Sequence, residues 1–149
     1  MIGEIVHVGV TVSDMDRSIA FYRDILGLEY KGELTMSGEA TDRLFQREGV
    51  VARVAYLNGS DNISCPPVEL ICFDEGARAS HANLFSTSIS EICFVTDDID
   101  REYMRLVDLG VECLSAPQDF DFSSAGFGKS RALYFRDPDG IILELMQYL

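Results

Sequence analysis

From Ile5 to Val12 the chain alternates, with Val6, Val8, Val10 and Val12 on one side and His7, Gly9 and Thr11 on the other. A period of two built from β-branched residues predicts a strand that buries its valines. Ser13 then offers a side-chain oxygen as a helix cap, Asp16 follows three residues on, and Ile19, Tyr22, Ile25 and Leu26 recur at helical spacing up to Gly27. That spacing predicts an amphipathic helix with an acidic first turn and a left-handed glycine at its end. Further strands are predicted at 28–30, 50–57 and 67–73, the last two separated by the turn signal NGSDN from Asn58.

The same order then returns. A strand is predicted at 91–96, a helix from Asp97 or Asp98 to Gly110, a strand at 112–114, and two more in RALYFRD from Arg131 and IILELMQ from Ile141, joined by the turn Asp137, Pro138, Asp139, Gly140. Laid on the first stretch, Asp98 falls on Asp14, Asp100 on Asp16, Arg101 on Arg17 and, after a one-residue gap, Gly110 on Gly27. Each copy reads β-α-β-β-β, so the expected fold is α+β. It comprises two βαβββ modules, 4–75 and 88–149, within one domain covering 1–149. A duplicated unit implies two-fold pseudo-symmetry, with a site between the halves. The segments 32–49 and 74–88 lack clean periodicity, and 118–129 is rich in Ser, Gly and Phe. These are expected to be lids and linkers, with Phe120, Phe122 and Phe127 forming either an apolar lid or an interface patch.

At 149 residues and 47% apolar content the chain can bury one compact core. With 25 acidic against 12 basic residues it carries a formal charge of −13, which argues against nucleic-acid and anionic-membrane partners. No apolar run approaches the roughly 20 residues of a membrane span, and MIGEIVHVG lacks the basic and apolar segments of a signal peptide. The expectation is a soluble cytoplasmic protein. Four cysteines form no CxxC pair, and Cys72 and Cys93 lie within apolar runs, as reduced structural thiols do.

The candidate chemistry lies at the ends of each copy. His7 points away from the valine face, Glu69 sits inside VELICF where both faces read as buried, Glu144 does the same inside IILELM, and Glu91 opens an apolar strand. Three carboxylates and one imidazole on such faces would repel one another unless a divalent cation gathers them within a few ångströms. The alternative is that these glutamates stand at strand ends, open to water or paired with Arg53 or Arg131. Arg53, if Val51 and Ala55 point inward, faces the cavity and would bind a substrate carboxylate or phosphate; otherwise it pairs with Glu69 or reaches solvent. Tyr134 and Phe135 alternate, so that one lines the pocket and the other packs on a helix. His81, in RASHANL, is the other histidine: a loop residue open to solvent, or a further ligand or proton carrier.

HVGVTVSDMDRSIAFYRDILGLEY, FVTDDID, YFRDPDGIILEL and the paired closing glutamates resemble the vicinal oxygen chelate superfamily over nearly the whole chain. That superfamily includes glyoxalase I, methylmalonyl-CoA epimerase, extradiol dioxygenases and the fosfomycin and bleomycin resistance proteins. The resemblance implies two βαβββ modules as open half-barrel sheets with helices outside, around one divalent metal held at the positions of His7, Glu69, Glu91 and Glu144. It also implies a homodimer acting on a small molecule, through an enolate or enediolate, with Glu144 as the base.

The match departs from particular members. Glu91 stands where the metal-dependent members usually have His, so the donor set favours harder ions such as Mn²⁺, Mg²⁺ or Fe²⁺, with Co²⁺, Ni²⁺ and Zn²⁺ not distinguished. A single matched His also counts against an Fe²⁺ extradiol-type dioxygenase. Thr11 replaces the Arg that holds glutathione in glyoxalase I, and Ala52 falls near the second base of the epimerase, which Glu48 would replace only if its loop folds inward. Two classes follow: a metal-dependent lyase, isomerase or epimerase, or a metal-free drug-sequestering protein with an acidic groove.

Overall fold

Strand pairing in the computed structural model, which describes residues 7–58, 68–77 and 89–149, repeats one topology twice. The chain divides into two compact units, Met1–Ala79 and Ser80–Leu149. The first contains β1 (Val8–Thr11), α1 (Met15–Ala20), β2 (Glu29–Met36), α2 (Glu39–Phe45), β3 (Ala52–Asn58) and β4 (Val68–Phe73). Its sheet has the order β1-β4-β3-β2, with β1 parallel to β4 and the other pairs antiparallel. The second contains β5 (Ile92–Val95), α3 (Ile99–Asp108), β6 (Gln118–Asp121), β7 (Lys129–Arg136) and β8 (Ile142–Tyr148), in the order β5-β8-β7-β6 with β5 parallel to β8. Both are βαβββ units of an α+β protein.

In the first unit one face of the sheet carries Val10, Ala55, Leu57, Val68 and Leu70, all buried, and α1 packs against β3 and β4. The helix is capped by Asp14, not by the expected Ser13: the Asp14 carboxylate accepts from the Arg17 backbone N–H at 3.0 Å. Asp98 does the same for Arg101 at the head of α3, which packs on β8 through the fully buried Ile99. A charged cap satisfies an orphan donor and faces the positive end of the helix, which is why this residue recurs in both copies. Residues Phe21–Ile25 continue α1 as a π-turn, closed by Leu26 N–H donating to Phe21 C=O at 3.0 Å. The extra residue rotates the apolar stripe, so Met15, Ser18, Ile19, Phe21 and Tyr22 are buried while Ile25 and Leu26 are half-exposed. Gly27 and Gly110 leave the helices at φ 76° and 75°, the left-handed conformation that favours glycine.

The structure differs from the sequence expectation at three segments. The 32–49 segment holds most of β2 and all of α2, 118–129 holds β6, and 112–114 makes only an isolated bridge, Cys113 to Phe135. All four residues of β6 are exposed, and β2 exposes six of eight. With no buried face there is no hydrophobic period to read. The turn at 58–62 beyond Asn58, and His81, lie outside the described residues.

Each unit also carries an ion-pair clip from sheet to helix. Arg53 donates to Asp16 at 3.0 Å and Glu33 at 2.9 Å, and Arg131 at the matching position engages Asp100 and Asp119. The hydrogen bond from Arg131 holds the Asp100 carboxyl below its ordinary range. A depressed folded value means stabilisation that is present above the ordinary aspartate range and lost as pH falls through the folded value. Asp100→Asn should therefore flatten the acid limb of a urea-midpoint-against-pH curve; an unchanged limb would remove Arg131–Asp100 from the account.

Candidate functional site

Strand register places the same constellation on the face opposite the helix in both units. In the first, Glu69 on β4 is flanked by Gly9 on β1 and Tyr56 on β3. In the second, Glu144 on β8 is flanked by Cys93 on β5 and Tyr134 on β7. His7 and Glu91 stand immediately before β1 and β5. Both outer residues precede an edge strand, so each unit presents one donor at its leading end and one carboxylate at its centre.

Glu69 is 8% exposed, and its charge is met by donors on both sides. The Tyr56 hydroxyl donates to Oε1 at 2.7 Å, and Oε2 lies 3.0 Å from His7 Nε2. The hydrogen bond to Glu69, with burial and the carboxylate charge behind it, pushes the Tyr56 phenol up to about 12, so it remains a donor. Two donors bound at right angles to one ion, each at about 2.1 Å, stand about 3.0 Å apart. The His7–Glu69 spacing therefore suits a shared cation.

Glu144 is half-buried and its carboxyl is raised, first by desolvation and then by the charge of Glu91, with a hydrogen bond from Cys93 acting the other way. Cys93 is a free thiol, as expected, but is exposed as a residue although it lies in an apolar run. Alternation on β5 turns its sulfur to the Glu144 face and away from α3, where local burial and the charge of Glu144 push the thiol up to about 12. Tyr134 is raised by burial and by Glu144, Glu91 and Cys93 in turn, and Phe135 points to the opposite face, where it is 1% exposed. A carboxyl raised by burial and by a neighbouring carboxylate is favoured in its neutral form unless a cation or strong donor meets it.

Of the sequence-predicted residues, the structure pairs His7 with Glu69 and sets Glu91, Glu144 and Tyr134 in one another's fields. Among the described residues no three His, Cys, Asp or Glu side chains form a group that could hold a metal ion. Arg53 stands apart: it occupies the opposite face of β3 from Tyr56, with its guanidinium on Asp16 and Glu33. The expected inward phase of β3 belongs to Tyr56. Glu48 is exposed in the turn after α2. Tyr56 was discernible in principle, since RVAY at Arg53–Tyr56 and RALY at Arg131–Tyr134 are copies of one another.

Two βαβββ units, each setting a Tyr–Glu pair on adjacent strands, define a duplicated α+β protein. The chain belongs to the Glyoxalase/Bleomycin resistance protein/Dioxygenase superfamily, whose family model matches residues 4–145. It is 28% identical to the protein YraH of Bacillus subtilis, over 98% of this chain and 99% of that one. A virulence protein of Salmonella typhimurium is 23% identical over 100% of this chain and 87% of its own length. The glyoxalase family protein from Bacillus cereus superposes with a TM-score of 0.84 at 22% identity, covering 100% of this chain and 96% of that one. The trypanothione-dependent glyoxalase I of Leishmania major gives 0.70 at 19% identity, covering 97% and 86%. At these identities the two structures establish the shared fold. Among the described residues no helix is long and apolar enough to cross a membrane.

Proposed function

We propose that His7, Glu69, Glu91 and Glu144 are the protein ligands of one divalent cation, and that the protein is a lyase, isomerase or epimerase acting on a small substrate with two neighbouring oxygens. The observation that carries this reading is the duplicated register of a carboxylate beside a tyrosine, with a buried Glu69 only 3.0 Å from an imidazole nitrogen. One imidazole and three carboxylates form an oxygen-rich set suited to Mn²⁺, Mg²⁺ or Fe²⁺. When bound, such an ion polarises neighbouring substrate oxygens and acidifies the C–H beside them.

Glu144 is the base. Burial, and then the charge of Glu91, raise its carboxyl, the direction that makes a carboxylate a better proton acceptor. It accepts the proton from the carbon next to the carbonyl, and the C–H electron pair moves onto the carbonyl oxygen as an enolate or enediolate. Return of the proton to a neighbouring carbon gives an isomer, return from the other face an epimer, and departure of a β-substituent a lyase product. Tyr134, kept protonated by its surroundings, donates to a substrate oxygen.

Deuterium exchange followed by NMR in D₂O, over a panel of α-hydroxy ketones and α-hydroxy acids, tests the reading. The expected result is exchange at one carbon that EDTA abolishes. A second reading, a metal-free protein that holds a cationic compound, draws on the formal charge of −13 and on Glu91 beside Glu144. Absence of exchange together with tight, EDTA-insensitive binding of a basic compound would establish that reading instead.

A further inference from the structure

Within the first unit, the segment after α2 and the turn after β4 enclose a cavity of about 210 Å³. Phe45, Val50, Val51 and Phe73 form its walls, and Arg47 and Glu75 stand at its mouth as an ion pair. Phe73 lies four residues beyond Glu69 along β4, roughly 13 Å at about 3.3 Å per residue, so the cavity is separate from the His7–Glu69–Tyr56 cluster. The walls are held in place without a ligand. The Phe45 and Phe73 rings meet edge to face at 5.3 Å, the Asp42 carboxylate accepts from the Gly49 and Val50 backbone N–H groups at 3.0 and 2.9 Å, and the Asp74 N–H donates to Val51 C=O at 3.1 Å. Small-molecule sites take this form, an apolar hollow with a few convergent polar groups, and a volume below the roughly 300 Å³ of a drug-sized pocket admits a single ring or a branched alkyl group.

The mouth narrows the chemistry. Arg47 and Glu75 are 65% and 56% exposed, so their pair contributes little to stability and opens readily. A carboxylate placed on Arg47 would stand beside Glu75, and an ammonium placed on Glu75 would stand beside Arg47, so a head of either single charge meets its like. A head that bears both charges engages both residues and sets no like charges together. We propose that this cavity binds a free α-amino acid with an apolar side chain, its carboxylate on Arg47, its ammonium on Glu75 and its side chain against Phe45, Phe73 and Val50. None of these residues is among the proposed cation ligands, so the site goes beyond the cation reading and does not rest on it.

The test is isothermal titration calorimetry of the full chain, in EDTA, with L-phenylalanine and L-leucine. Two analogues run beside them: 3-phenylpropionate, which keeps the ring and the carboxylate, and 2-phenylethylamine, which keeps the ring and the ammonium. The expected result is that at least one amino acid binds, and that each analogue binds at least about 10-fold more weakly than its phenylalanine parent, the worth of one charge-assisted contact. Arg47→Met should weaken the amino acid by a similar factor and strengthen 2-phenylethylamine, because the like charge beside Glu75 is gone. Glu75→Gln should likewise weaken the amino acid and strengthen 3-phenylpropionate. Both substitutions fall on exposed side chains, and far-UV circular dichroism confirms that each variant is folded. Binding of neither amino acid at millimolar concentration, equal binding of phenylalanine and its analogues, or amino-acid affinity unchanged in both variants overturns the proposal and leaves the cation reading as it stands.

Discussion

Glu144→Gln is expected to slow deuterium exchange on a responsive substrate by about 10²- to 10⁴-fold, the usual worth of a general base, while the protein still takes up a divalent cation. Glutamine keeps the volume and one oxygen donor but cannot accept a proton. The surroundings of Glu144 favour the proposed role: desolvation and then the charge of Glu91 raise its carboxyl. Raising the protonation tendency of a carboxylate costs binding strength for a cation but improves proton transfer near neutral pH. Exchange rates and Mn²⁺ uptake measured on the same preparation separate the two. Full exchange in Glu144→Gln would move the base to another residue.

Glu69→Ala is expected to act on the other quantity. On the proposed reading it removes a direct ligand, and its effect on cation affinity should exceed the roughly 100-fold that loss of an outer partner can cost. At a cation concentration about 100 times the parent dissociation constant, binding should stabilise the parent by about 2.7 kcal/mol, and a variant 100-fold weaker by about 0.4 kcal/mol. Thermal melts with and without Mn²⁺ read that difference directly. Equal stabilisation of parent and variant would remove Glu69 from the ligand set.

The pattern of the chain disclosed the architecture because the buried elements repeat. The valines of β1, the apolar runs of β4 and β8 and the paired Asp14 and Asp98 all follow from burial or from capping, and both leave a local signature. What was illegible lies where neither operates. Residues 118–121 form an edge strand with every side chain exposed, and α2 begins at Gly38 without a side-chain cap and runs for seven residues. Edge strands take their order from backbone pairing with a neighbour, which a single segment does not encode.

The same distinction runs through the site. His7, Glu69, Glu91 and Glu144 were conspicuous as charges among apolar neighbours, and Tyr134 by its alternation with Phe135. Tyr56 was hidden because a tyrosine in a strand next to leucine reads as packing, and only its register against Glu69 reveals the hydrogen bond. Arg53 reads in the sequence as a substrate-binding cation or a partner of Glu69, but its partners come from α1 and β2, 37 and 20 residues away along the chain. Cys93 reads in the sequence as a small hydrophobe, whereas the pairing of β5 with β8 sets it against Glu144.

The central claim is that this chain holds one divalent cation through His7 and three glutamates. Metal content after loading with Mn²⁺ and desalting, compared between the parent and Glu69→Ala, tests it most directly. The account predicts one ion per chain in the parent and close to none in the variant. A parent that retains no ion, or a variant that retains as much as the parent, would contradict it.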